Sequence, residues 1–269
     1  MTGRDATADR WASGAAYEAY VGRWSRLVAA EFLAWLEVPA GRRWLDVGCG
    51  TGVLTQAILA RADPAAVVGV DPSEPFVDHA RAATRDGRAR FVVGSAGATT
   101  LDDGSVDAVV SGLVLNFVPD VGAALAEARR VATPGATMGA YVWDYAAGMA
   151  LIRRFWDAAA ELDPAARSLD EGVRFPIAAP DPLDRAFRAA GLTAIAVRPI
   201  DVPTDFADFD ELWRPFLNGT GPAPAYVAAL DDPARDALRD RLRTSIEAGP
   251  DGSIRLPARA WAVRGTHER

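Results

Sequence analysis

The sequence predicts an α/β fold: a doubly wound, mostly parallel seven-stranded sheet with helices on both faces and a helical cap. Three observations predict it. Short β-branched runs alternate with helical apolar periods between residues 43 and 143. A glycine cluster joins the first such run to the helix that follows it. Past residue 144 the alternation loosens into longer segments carrying Pro, Gly and aromatic residues. Strands separated by whole helices pair in parallel, because a parallel neighbour needs a long crossover connection.

The first helical period, residues 12 to 37, has aromatic members (Tyr17, Tyr20, Trp24, Phe32, Trp35) and stops at Pro39 and Gly41. Trp44, Leu45 and Val47 make a strand over 43 to 47, and the glycines then open a helix to about residue 61. AVVGVD (66 to 71) is a short buried strand, after which Pro72 and Ser73 start a helix to about 86. ARFVVGS (89 to 95) is the third strand, and SVDAVVSGLVLNF (105 to 117) holds the fourth after an Asp103-Gly104 turn. A helix over 120 to 131 ends before Pro134-Gly135, and ATMGAYVW (136 to 143) is the fifth strand. Helices follow at 148 to 162 and 180 to 192, then a sixth strand at 193 to 200. Short helices fill 201 to 250, and 252 to 265 is a closing strand. The chain reads as a single domain, 1–269: an N-terminal lid helix (1–38), a ligand-binding core (40–145) and cap insertions at 146–180 and 201–250.

Composition narrows the function classes. The net charge is −7, and all 29 cationic residues are Arg, scattered without a basic stripe, so no nucleic-acid partner is expected. The single cysteine, Cys49, excludes disulfides within the chain and cysteine-based metal sites. Two histidines, His79 and His267, are too few for a metal centre or a histidine-based triad, so no metal is expected. No run reaches the ~20 apolar residues of a membrane helix, and the polar start is not a signal core, so the chain is expected to be cytoplasmic with no membrane partner.

The chemistry concentrates in RRWLDVGCGTGVLTQAI, residues 42 to 58. A strand, a glycine turn and a helix usually cradle a phosphate on backbone N–H groups. The spacing here is G-x-G-x-G (Gly48, Gly50, Gly52), with Val53 where a dinucleotide loop wants its third glycine. Asp46 stands at the mouth of the turn, where it repels a pyrophosphate and favours a cation. Asp71 closes the second strand, where a carboxylate can accept both hydroxyls of a ribose. A ligand with a ribose, no pyrophosphate and a positive charge is S-adenosylmethionine. The alternatives are a bare tight turn for the glycines and, for Cys49, a small packing residue rather than a nucleophile.

In that order and spacing, LDVGCGTG, VVGVDPS, FVVGSAG…LDDGSVDAVVSGLVLNFVPD and RRVATPGA resemble the class I S-adenosylmethionine-dependent methyltransferases, over residues 40 to 145. The small-molecule branch that includes ubiquinone and menaquinone methyltransferases is the most similar in appearance. The resemblance implies a Rossmann-like fold and a set of roles. The methionine moiety lies against Gly48, Cys49 and Gly50, with Asp46 orienting its ammonium. Asp71 takes the ribose and Pro72 borders the adenine. Ser95, Ala96 and Gly97 meet the adenine edge, although the family usually carries an acidic residue there. Ser111 to Leu113 pass beside the transferable methyl. The N-terminal helix folds over the donor, Tyr17 or Tyr20 closing the site and Arg23 pairing with the donor carboxylate.

Methyl transfer is an in-line displacement at an activated carbon, so positioning and exclusion of water are the main demands. Asn116 and Phe117 after the fourth strand, and Trp143, Asp144 and Tyr145 after the fifth, are expected to face the acceptor. Asp144 is the first candidate for a catalytic contact, with a helix cap for the segment from Ala146 as its alternative. Aromatic residues in the cap suit a small apolar or aromatic acceptor. A nicotinamide-dependent oxidoreductase and a non-catalytic S-adenosylmethionine-binding module are the competing classes.

Overall fold

The structure, a computed structural model, describes residues 23–218 and 221–268. One sheet has the order β3-β2-β1-β4-β5-β7-β6. Its strands are β1 Arg43–Val47, β2 Ala66–Asp71, β3 Ala89–Val93, β4 Val106–Gly112, β5 Ala132–Trp143, β6 Thr193–Phe206 and β7 Ile254–Thr266. The first five are parallel, while β7 runs antiparallel between β5 and β6. The chain winds outward from β1 to β3, then returns to place β4 on the other side of β1. That reversal opens a crevice at the carboxyl ends of β1 and β4, the usual ligand position in such sheets. Right-handed crossovers then put α2 (Val53–Arg61) and α3 (Glu74–Ala83) on one face and α4 (Val121–Val131) on the other. The described part of the first helix, α1 (Arg23–Leu36), packs against α2.

The local sequence explains the elements. β1 and β2 read as nearly continuous apolar runs because both of their faces are covered, with Trp44, Leu45, Val67 and Val70 all buried. Pro75 sits in the first turn of α3, and Asp120 caps α4 by accepting from the Ala123 N–H at 2.9 Å. Cys49 packs with Val77, Ala80 and Phe91, and burial pushes its thiol pKa up, which suits a packing residue.

The sixth strand is longer than expected. It continues past Ile200 to Phe206, through Pro203, with Pro199 already inside the expected span. It is an edge strand, and Pro203 stands opposite Pro257 in a pair that exchanges no N–H bonds, so its missing N–H falls on the side without a neighbour, as does that of Pro199 four residues earlier. β6 and β7 therefore form a ribbon that overhangs β5: Asp201–Phe206 pair with Ile254–Arg259, beyond the last β5 partner at Ala260. Helices of the segments around it pack against this ribbon. Phe155 of α5 (Ala150–Leu162) stacks on Phe216 at 4.6 Å and meets Tyr226 of the Pro222–Ala229 helix edge-on. A polar lock joins α5 to α6 (Glu171–Arg174): Arg153 forks onto Asp170, and the Trp156 indole N–H donates to buried Glu171. Burial pushes the Glu171 carboxyl up to about 7.

Close packing around the turn gives a stability test. A Cβ on Gly69 would sit 2.6 Å from the Phe91 ring and 2.9 Å from the Cys49 sulfur, whereas one on exposed Gly87 would touch nothing within 4 Å. Gly69→Ala is expected to cost about 1–3 kcal/mol as overpacking, and Gly87→Ala to stay within about 0.5 kcal/mol. Urea unfolding of both variants checks the difference; equal midpoints would contradict the packing described.

Candidate functional site

The glycine turn is tied to β2. The N–H groups of Gly48 and Cys49 both donate to the Val70 carbonyl, at 2.7 and 3.0 Å. The Gly50 N–H donates to Asp71 Oδ2 at 3.0 Å, and the Gly52 N–H to the Cys49 carbonyl at 2.8 Å. Gly48 has φ 72°, and a Cβ there would lie 2.5 Å from Val114, so no other residue fits. The consequence is chemical. A phosphate loop presents free N–H groups to its anion, but four of those in this turn are already satisfied within the protein.

Above the turn lies a cavity of about 680 Å³, within the range of small-molecule sites. Its charged lining, among the described residues, is acidic: Asp46, Asp71 and Asp120, with no Arg or His. Asp46 is buried and accepts from the Thr55 hydroxyl at 2.7 Å through Oδ2, while its Oδ1 has no partner. Burial pushes its carboxyl up to about 7; the Thr55 hydrogen bonds pull it down, and the Asp71 charge raises it further. Asp71 is raised too, mainly by burial, against the N–H groups of Ser73 (2.8 Å) and Gly50. An orphaned carboxylate oxygen in a dry wall is costly. A cation seated beside it removes that cost.

The structure brings most of the residues singled out in the sequence to this cavity. Asp46, Gly48, Cys49, Gly50, Asp71 and Pro72 line it, as do Ser95, Ala96 and Gly97 at the far end of β3. Leu113 and Phe117 form the wall beyond β4. Leu113 is held at φ 62°, rare for a residue with a side chain, by its N–H bond to the Tyr141 carbonyl at 2.7 Å. Ser111 turns away and donates to the Val47 carbonyl. Tyr17 and Tyr20 lie outside the described residues, and so does the side chain of Arg23, whose backbone opens α1.

Four acceptor-side candidates take other places. Asp144 is buried off the cavity, where its Oδ1 accepts from the Ala147 N–H at 3.1 Å and its Oδ2 lies against Gly148. It caps the turn after β5, so the expectation of a catalytic contact is corrected to the capping alternative. Tyr145 packs on Phe175, which in turn meets Phe117 edge-on at 5.1 Å. Trp143 and Asn116 are buried without lining the cavity, and neither the indole N–H nor the amide has a hydrogen-bond partner. Conversely, Tyr141 and Ser25 line the cavity and were not singled out. Tyr141 is hidden inside the apolar run of β5, and its reach toward β4 depends on a register that composition does not encode. Ser25 stands seven residues before buried Phe32 on α1, the one helical cue that it faces the sheet.

Comparison with known proteins agrees with this geometry. Residues 45–139 match the methyltransferase domain family. An uncharacterized methyltransferase of Mycobacterium tuberculosis is 40% identical over 114 residues, covering 42% of this chain and 44% of that protein. A demethylmenaquinone methyltransferase of Roseiflexus sp. is 39% identical over 100 residues, covering 37% of this chain and 42% of that one. The chain thus spans less than half the length of these curated relatives. Among solved structures, a putative methyltransferase from an antibiotic biosynthesis pathway of Anabaena variabilis superposes with a TM-score of 0.61 at 18% identity, over 88% of this chain and 96% of that one. That likeness speaks for the fold. The sheet order, the tied glycine turn and the matched segment agree: residues 45–139 are similar to a methyltransferase domain.

Proposed function

We propose that this chain transfers the sulfonium-bound methyl group of S-adenosylmethionine to a small acceptor. The observation that carries the reading is the pairing of an acidic cavity with a glycine turn whose N–H groups are spent. A pyrophosphate would meet Asp46 and Asp71 with few free donors, whereas a sulfonium and an ammonium gain from both carboxylates. Gly48 to Gly50 then contact the methionine moiety through carbonyls and Cα atoms. Asp71 keeps lone pairs beyond its two backbone bonds and takes the ribose hydroxyls. Ser95 to Gly97 border the adenine.

S-adenosylmethionine, when bound, supplies an activated methyl carbon. The chain's share of the work is to hold the acceptor in line with it and keep water away. Leu113, Val114, Phe117 and Val118 give the cavity an apolar wall beyond β4, backed by the Phe117–Phe175–Tyr145 ring cluster. These walls suit an apolar or aromatic acceptor. The helices between β5 and β6 and between β6 and β7 act as the cap at that end, so that core and cap work as one domain. No helix among the described residues is long and apolar enough to cross a membrane, in keeping with a cytoplasmic metabolite as acceptor.

Two outcomes are expected in titration calorimetry. Asp71→Ala weakens S-adenosylmethionine and S-adenosylhomocysteine alike, by about 1.5–3 kcal/mol, as for loss of charge-assisted hydrogen bonds; unchanged affinity would remove Asp71 from the site. If the unmodified protein bound NAD more tightly than S-adenosylmethionine, the donor itself would be wrong.

The second outcome concerns pH. Asp46 carries a proton in the free protein below about 7, and a cation selects its carboxylate form. Affinity for S-adenosylmethionine is therefore expected to fall by up to about tenfold per unit as pH drops below that value. It falls again above about 8 as the ligand's own α-amino group loses its proton. Asp46→Asn should flatten the acidic limb and leave the basic one. The raised value also means that the ligand-free protein loses stability between about pH 4 and pH 7, where the unfolded chain has already released this proton.

A further inference from the structure

The cavity's amino-acid end has an acceptor for an ammonium in Asp46 but, among the described residues, no cation for a carboxylate. Resting on the donor assigned above, we infer that the hydroxyl of Tyr141, together with that of Ser25, is the subsite for the α-carboxylate of the donor's methionine tail.

Register places these groups together. Asp46 pairs with Val110, and Gly112, two residues on along β4, pairs with Tyr141. Side chains at these positions share one face, because parallel partners in register point the same way and the period along a strand is two. That face is the one covered by α1: a Cβ on Gly139 would meet Leu36 and Phe32, and the Tyr141 ring meets Phe32 edge-on at 4.9 Å. Tyr141 does not stand upright on its own strand. A Cβ on Gly112 would fall 2.6 Å from the Tyr141 hydroxyl oxygen, so the ring leans across and its hydroxyl lies over β4. Gly112 leaves the room that this lean requires.

Spacing then matches the ligand. Asp71, Asp46 and the Tyr141 hydroxyl lie over β2, β1 and β4, three consecutive strands about 4.8 Å apart, which is on the order of 10 Å from first to last. A ribose, a sulfonium and an α-amino acid laid along that line bring the ammonium to Asp46 and the carboxylate one strand further. Hydroxyl donors are the chemistry wanted there. They satisfy a carboxylate without placing a guanidinium beside Asp46, which would compete with the ammonium for the same carboxylate.

Titration with S-adenosylhomocysteine and with decarboxylated S-adenosylmethionine, which lacks only the carboxylate, tests this. Tyr141→Phe is expected to weaken the first by about ten- to a hundredfold, as for a hydrogen bond to a charged group, and to leave the second unchanged. Ser25→Ala should act in the same direction. Undiminished binding of the decarboxylated ligand also reports that the variant is folded. Equal losses for both ligands would make Tyr141 a wall rather than a carboxylate donor and overturn the assignment. So would a Tyr141→Phe protein that binds S-adenosylhomocysteine normally while Arg23→Ala does not. If the unmodified protein bound neither ligand, the donor assignment would fail instead.

Discussion

Everything at the site depends on how the glycine turn is fastened to β2. Two N–H groups share the Val70 carbonyl and a third meets the Asp71 carboxylate, so the turn and the acid that ends β2 are one hydrogen-bonded unit. This fastening gives the turn its shape before any ligand arrives and uses up the donors that an anion would need. It also explains why Asp71 is nearly inaccessible yet ionisable: two backbone donors offset part of its desolvation. The same sequence of residues, left with its N–H groups free, would read as a phosphate loop.

Asp46 carries the complementary half of the logic. A carboxylate in a dry wall with one oxygen unpartnered is an expense to the ligand-free protein, and its pKa near neutrality records that. The ligand that best relieves it is cationic. A cation paired with it would release the free energy held as unfavourable burial in the ligand-free state.

Much of this was legible beforehand, for definable reasons. The strands of the core showed as β-branched runs because they are buried on both faces, and Asp46, the glycines and Asp71 lie at their ends at spacings set by the chain alone. What escaped depends on which residues meet across strands. Tyr141 lines the cavity only because β5 sits in register with Gly112, and β6 runs past Ile200 only because an edge strand can absorb Pro203. Asp144 was legible as two things at once. A carboxylate after a strand end caps a turn or contacts a ligand, and only the position of Ala147 and Gly148 decides between them.

The overhanging ribbon of β6 and β7 has a consequence for how such a chain can change. Its six paired positions beyond β5 span about 20 Å, with Val202, Thr204 and Phe206 facing in and Asp201, Pro203 and Asp205 facing out. Trp24 of α1 closes on Phe206 at the far end. Lengthening both strands by two residues preserves that alternation. Lengthening them by one turns every inward side chain to solvent. Insertions in this ribbon therefore keep its inward face only in even steps, and its reach beyond β5 is set by a count that leaves the glycine turn untouched.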